Sequence, residues 1–191
     1  MLYDKNIRVT AVELDKRIIQ VAQKYFNLNK GIQIIEDDAR HALYSLNVKY
    51  DIIVMDLFNS EVTSSHVLSL EFFNKLKSLL SDGGFIFINT YGYLYTSAGK
   101  GTIALLNNLK HVGFNLSLCY SGNREYEDYR TFQVFATTLE NKKTLYAAFN
   151  IGPLSLKDTL LSTDDKPFIE FANAEAGKRW RYTYLTHSYY K

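Results

Sequence analysis

Ile7-Arg8-Val9-Thr10-Ala11-Val12-Glu13, followed by Leu14-Asp15, is an apolar, β-rich run that closes on an acid. In doubly wound α/β folds, an acid at the carboxyl end of the second strand accepts hydrogen bonds from ribose hydroxyls. The first strand-to-helix turn of such folds carries glycines that let the backbone approach the ligand. Here the acid is present as Glu13 and the glycines are not: only Met1 to Asn6 precede the strand, and no G-x-G-x-G fits there.

Outward from that strand the apolar period alternates between 3.6 and 2. Ile18, Val21, Ala22, Tyr25 and Phe26 predict a helix over Asp15 to Phe26, stopped by Asn27 to Gly31; Ile32 to Glu36 predicts a short strand. Asp37-Asp38-Ala39 opens a helix to about Leu46, with both acids at its positive end. Tyr50 to Asp56, Y-D-I-I-V-M-D, is nearly continuous in apolar residues, as suits a parallel strand buried on both faces. Phe72, Phe73, Leu76, Leu79 and Leu80 predict the next helix, and Asp82-Gly83-Gly84 turns the chain into a strand at Phe85 to Asn89. A helix from Thr102 to His111 and strands at Asn115 to Tyr120 and Thr131 to Thr138 complete the regular part, the last two as an antiparallel pair at one edge. Alternating strands and helices imply a Rossmann-like α/β fold, a three-layer sandwich around a mostly parallel sheet. Residues 1–138 read as this domain and 139–191 as a carboxyl-terminal extension packing on or near it, with a short helix at Ser155 to Leu161.

Glu13, Asp38 and Asp56 stand just outside the carboxyl ends of strands, where this architecture binds ligands. Each alone also suits a helix cap; the three in register favour a site. Glu13, with Leu14, would hold a ribose diol. Asp38 would accept from an adenine amino group beside the Ala39 backbone. Asp56 would face the reacting centre, where a carboxylate orients an amine nucleophile and takes its proton.

The stretches V-T-A-V-E-L-D, I-I-E-D-D-A-R, Y-D-I-I-V-M-D and S-L-E-F-F-N-K-L-K-S-L-L-S-D-G-G-F together resemble the spermidine synthase, or polyamine aminopropyltransferase, family. The resemblance covers residues 7 to 90 well and continues more weakly to about 138. T-D-D-K-P-F-I-E at 163 to 170 is similar to the tail of spermidine synthase-like proteins. The resemblance implies the class I S-adenosylmethionine-dependent methyltransferase fold. It implies Glu13 and Asp38 as ligands of the nucleoside of decarboxylated S-adenosylmethionine, and Asp56 as proton acceptor. The family's loop resembles D-S-S-D-P-x-G-P; here it reads D-L-F-N-S-E-V-T, so Asn59 stands where the second aspartate would hold the cationic amine. A neutral amide binds an ammonium about half as strongly as a charged partner does, which leaves Glu61 as a substitute. No counterpart of the family's amino-terminal β-hairpin domain is expected within these residues.

In the methyltransferase topology the first strand lies between the one ending at Glu13 and the one ending at Asp56. Its absence is expected to leave a gap, or to make those two strands close directly on each other. Unpaired buried backbone groups cost about 1–3 kcal/mol each against a net domain stability of ~5–15 kcal/mol, so the chain is expected to be a carboxyl-terminal fragment of a longer protein.

Other features carry less. The 191 residues, 47% hydrophobic, bear a net charge of +2, which selects no polyanionic partner; five lysines and arginines against two acids gather in residues 166–191. The lone Cys119 excludes a disulfide framework and a cysteine-based zinc cluster. His41, His66, His111 and His187 share no ligand spacing, so no metal is expected. Gly99-Lys100-Gly101-Thr102 lacks the full phosphate-loop spacing and reads as a helix start. The closing K-R-W-R-Y-T-Y-L-T-H-S-Y-Y-K mixes cations with aromatics, but such residues also bury well against a sheet, and nucleic acid is not the expected partner. Asp4, Lys5 and Arg8 interrupt the start, so no signal peptide is expected, no run reaches the ~18 apolar residues a span needs, and the expected setting is cytoplasmic. A homodimer is a further expectation from the resemblance. Three readings stay open: an aminopropyltransferase, a methyltransferase using S-adenosylmethionine itself, and a non-catalytic remnant or interaction module.

Overall fold

The computed structural model describes residues 7–28, 31–57, 64–93, 97–121, 129–139 and 160–186. They fall into two compact units that divide at Asn47–Val48. The predicted helix at Ser155 to Leu161 lies almost wholly outside the described residues, as do Asn59, Glu61 and His187.

The first unit is a β-α-β-α arrangement: β1 (Thr10–Glu13), α1 (Lys16–Tyr25), β2 (Gln33–Glu36) and α2 (Ala39–Ser45). β1 and β2 pair in parallel, with Glu13 opposite Glu36. Asp15 caps α1, its side chain accepting from the Arg17 N–H at 2.8 Å. Asn27, at φ 52°, takes the left-handed conformation that ends helices, and the Phe26 and Leu28 N–H groups close on the Ala22 carbonyl at 3.1 Å each. The helical spacing of Ile18, Val21 and Tyr25 is realised, yet none of the three is buried. Burial in this unit centres on Ala42 and Leu43 of α2.

The second unit holds β3 (Tyr50–Met55), α3 (Leu70–Ser78), β4 (Leu80–Tyr93), α4 (Lys100–His111), β5 (Asn115–Ser121), β6 (Tyr129–Thr137) and α5 (Ile169–Thr186). Its sheet runs β3-β4-β6-β5, with β3 and β4 parallel and both β6 pairings antiparallel. β5 therefore ends this sheet on one side, and β6 inserts between β4 and β5. β4 is longer than the pattern predicts. Asp82-Gly83-Gly84, expected as a turn ahead of the strand, lies inside it: Gly83 bends the chain at φ 80°, and the register with β3 shifts between Tyr50 and Ile52. Gly99-Lys100 is a helix start, as expected, following a 3-10 turn at Ser97–Gly99.

Period-2 alternation divides this sheet cleanly. Met55, Ile86, Ile88, Leu118, Val134 and Ala136 are buried, as are Phe72, Phe73 and Leu76 of α3 and Leu105, Leu106 and Leu109 of α4. On the opposite face Phe87 and Phe135 meet edge to face at 5.1 Å between centroids, while Ile52 and Val54 at the β3 margin are 54% and 63% exposed.

The stretch at 163–170 leads into α5. The fully buried Asn108 of α4 donates to the Leu68 and Ser162 carbonyls, 2.8 Å each, and accepts from the Ser162 N–H at 3.1 Å. Glu71 accepts from the Asp164 N–H at 3.0 Å, and the Ser65 hydroxyl from the Glu170 N–H at 3.1 Å. Among the described side chains of α5, Ile169 and Ala176 are buried. Among the described residues, hydrogen bonds group the strands of the first unit as β1-β2 and those of the second as β3-β4-β6-β5.

Candidate active site

Within the first unit, parallel pairing of β1 with β2 brings Glu13 and the Asp37-Asp38 turn to the same end of two neighbouring strands, and the Asp37 N–H donates to the Glu13 carbonyl at 3.1 Å. Each carboxylate also has a local duty. Glu13 Oε1 accepts from the Asp15 N–H at 2.8 Å. Asp38 Oδ1 caps α2, accepting from the Arg40 and His41 N–H groups at 2.9 and 3.1 Å. The cap reading is thus realised at Asp38 beside its place at the strand end. Leu14 is 70% exposed, and Ala39 is the first residue of α2.

Two ion pairs flank these strand ends. The Arg17 guanidinium forks onto Asp15 and holds that carboxyl down at about 2; Asp15 in turn raises Arg17. Asp37 Oδ2 lies 2.5 Å from His41 Nδ1, and this contact raises the His41 pKa above its ordinary value. His66 pairs instead with the Ser64 hydroxyl at 2.7 Å.

Asp56 belongs to the second unit and follows the last residue of β3. Its Oδ1 accepts a 2.9 Å hydrogen bond from Asn89 Nδ2, and Asn89 Oδ1 accepts a 3.4 Å one from Gln133 Nε2. Asn89 pairs with Gln133, and Gln133 with Cys119, so one polar row crosses β3, β4, β6 and β5. Beneath it runs the row of Val54, Phe87 and Phe135, and the two rows line an open groove of about 420 Å³. Sequence reasoning missed Asn89 and Gln133. The available signal was a single amide at the end of F-I-F-I-N and another inside F-Q-V-F, each breaking an otherwise apolar strand. Among the described residues no group of three or more His, Cys, Asp or Glu could hold a metal ion, and no helix is long and apolar enough to cross a membrane.

The family model described as spermine/spermidine synthase domain matches residues 2–146, a stretch that contains Glu13, Asp38 and Asp56. The chain belongs to the spermine/spermidine synthase family. A probable polyamine aminopropyl transferase of Bifidobacterium longum is 30% identical over 101 residues, which cover 53% of this chain and 22% of that protein. An N-terminal histidine N-methyltransferase of Emericella nidulans is 35% identical over 104 residues, covering 51% of this chain and 19% of that one. The matches thus span about a fifth of those relatives' length. In fold, the chain is similar to a probable spermidine synthase from Corynebacterium glutamicum, with a TM-score of 0.62 at 22% identity, over 73% of this chain and 50% of that one. The spermine/spermidine synthase family membership and this likeness bear out the α/β fold expected from the strand and helix order and the class I methyltransferase fold implied by the resemblance.

Proposed function

We propose that this chain carries the transfer half of an aminopropyltransferase, with decarboxylated S-adenosylmethionine as the donor and an amine as the acceptor. The observation that carries the reading is the family match across all three strand-end acids, joined to an Asp56 carboxylate whose partner Asn89 is a neutral amide. A neutral donor orients a carboxylate without cancelling the charge that a proton acceptor needs.

In the reaction, the lone pair of the amine attacks the methylene carbon beside the sulfonium. The new C–N bond forms as the C–S bond breaks, and the electron pair of that bond returns sulfur to a neutral thioether. The proton lost by the amine passes to Asp56. Glu13, with Leu14, serves the ribose diol, and Asp38 with the Ala39 backbone serves the adenine edge. Asn59 and Glu61 are the residues assigned to the amine, Glu61 supplying the charge that Asn59 lacks.

A second reading is favoured by the N-terminal histidine N-methyltransferase relative: methyl transfer from S-adenosylmethionine itself at the same acids. Titration calorimetry of the purified chain separates the two, using decarboxylated S-adenosylmethionine, S-adenosylmethionine and methylthioadenosine in turn. Micromolar binding with preference for the decarboxylated donor is the expected outcome. Preference for S-adenosylmethionine would select methyl transfer. A cooperatively folded chain that binds none of the three would overturn both in favour of a non-catalytic module.

A further inference from the structure

Carboxylates accept hydrogen bonds and do not donate them when ionised, whereas a primary amide does both from one planar group. An asparagine beside a carboxylate must therefore turn its NH2 toward it, and its carbonyl then points the opposite way. In this sheet the opposite way is Gln133. Asn89 Nδ2 lies 2.9 Å from Asp56 Oδ1, and Gln133 Nε2 lies 3.4 Å from Asn89 Oδ1. The strand register enforces the order: Asn89 is directly opposite Gln133 across the antiparallel β4–β6 pair, and Met55 opposite Ile88 brings Asp56 beside Asn89 across the parallel β3–β4 pair.

We propose that Gln133 and Asn89 are positioning residues that act in series. Gln133 sets the direction of the Asn89 amide, and Asn89 engages Asp56 Oδ1, which turns Oδ2 toward the incoming amine. Asn89 and Gln133 sit on two neighbouring strands and Asp56 directly follows a third, so the carboxylate direction is tied to the sheet through the β4 amide. Each amide acts through its neighbour, Gln133 on Asn89 and Asn89 on the Asp56 carboxylate. Phe135, two residues beyond Gln133 on the same face, packs on Phe85 and Phe87 at 6.2 and 5.1 Å, which fixes that stretch of β6. The outer contact is the longer one, so its loss is the milder of the two. The positioning role rests on Asp56 being the proton acceptor; the amide series itself does not.

The test uses the full chain labelled with 15N, with the Asn89 side-chain amide assigned through Asn89→Leu. Gln133→Leu keeps the volume and the strand preference while removing the donor, and circular dichroism checks that the fold is kept. Both Gln133→Leu and Asp56→Ala are expected to move the Asn89 side-chain NH2 resonances. Asn89 resonances unmoved by Gln133→Leu would overturn the series, whatever the activity. In the transfer assay Asn89→Leu is expected to lower kcat about tenfold and Gln133→Leu about threefold, both with KM for the nucleoside donor unchanged. Resonances that move in a chain with measurable transfer but unchanged kcat would overturn the positioning role. Moved resonances with no transfer to any amine by the unmodified chain would sustain the series and defeat the aminopropyl reading instead.

Discussion

Asn89 Nδ2 donates to Asp56 Oδ1 at 2.9 Å, joining the end of β3 to the middle of β4. The bond gives the candidate proton acceptor a fixed direction, and it is made by two residues that the sequence separates by an entire helix and turn. Asp56→Asn removes the basic oxygen but keeps the size and a partner for Asn89. Transfer is expected to fall by roughly 10²- to 10⁴-fold, the usual contribution of a positioned general base. Nucleoside affinity, assigned to Glu13 and Asp38, is expected to be unchanged by calorimetry. Equal loss of transfer and affinity would remove Asp56 from its role.

Asn108 is the strongest polar tie in the second unit, with three hydrogen bonds from a fully buried side chain. Asn108→Ala takes that partner from two carbonyls and an N–H; the Ser162 carbonyl keeps the Leu70 N–H at 2.9 Å, which leaves the Leu68 carbonyl and the Ser162 N–H as orphans at about 1–3 kcal/mol each. The expected destabilisation is roughly 3 kcal/mol or more, which lowers Tm by about 6–12 °C in a chain of this size. Thermal unfolding followed by circular dichroism measures it; a shift of a degree or less would mean that water replaces the lost amide.

Gly101, in the first turn of α4, faces Asn173 of α5 so closely that a Cβ there would lie 2.0 Å from Asn173 Oδ1. That oxygen is buried and has no hydrogen-bond partner among the described residues. Gly101→Ala gains about 1 kcal/mol of helix propensity but meets an overpacking cost of about 1–3 kcal/mol, so net destabilisation is expected. Asn173→Ala in the same chain should relieve it. Denaturant unfolding of the two single variants and the double variant gives the coupling, and strict additivity would contradict the contact.

The Asp37–His41 pair makes the first unit respond to pH above the ordinary histidine range. Asp37, first through its hydrogen bond and then through its charge, raises the folded His41 pKa above the ordinary value of about 6.5. A raised value in the folded state means that the stabilisation is fully present below pH ~6.5 and is lost as pH rises through the folded value. The pair is on the surface, so the change is small and screened by salt. Proton NMR titration of His41 should give a raised midpoint that returns to the ordinary range in Asp37→Asn. The Asp15–Arg17 pair runs oppositely: its contribution is present above the ordinary carboxylate value of 3.8 and fades as pH falls through about 2.

The order of strands and helices was legible because each element's apolar period is a local property. Ile86 and Ile88 against Phe85 and Phe87, or Ala42 and Leu43 in α2, sort to their faces by spacing alone. The strand-end acids were legible for the same reason, since Glu13 ends β1, Asp38 caps α2 and Asp56 follows β3, all elements that the pattern delimits. Asp82-Gly83-Gly84 was misread because a left-handed glycine serves a free turn and a bulge inside a paired strand equally well, and only the partner strand distinguishes them.

What the sequence determined by itself was therefore the class of fold, the family and the acids at the strand ends. Tertiary structure alone decided that β6 enters between β4 and β5, that Gln133 stands opposite Asn89, and that Asn108 ties α4 to Ser162. Period-2 alternation says which face a residue takes but leaves open which residue on a distant strand it will meet. That choice is made by register, through hydrogen bonds between segments dozens of residues apart, and the direction of the Asp56 carboxylate depends on it.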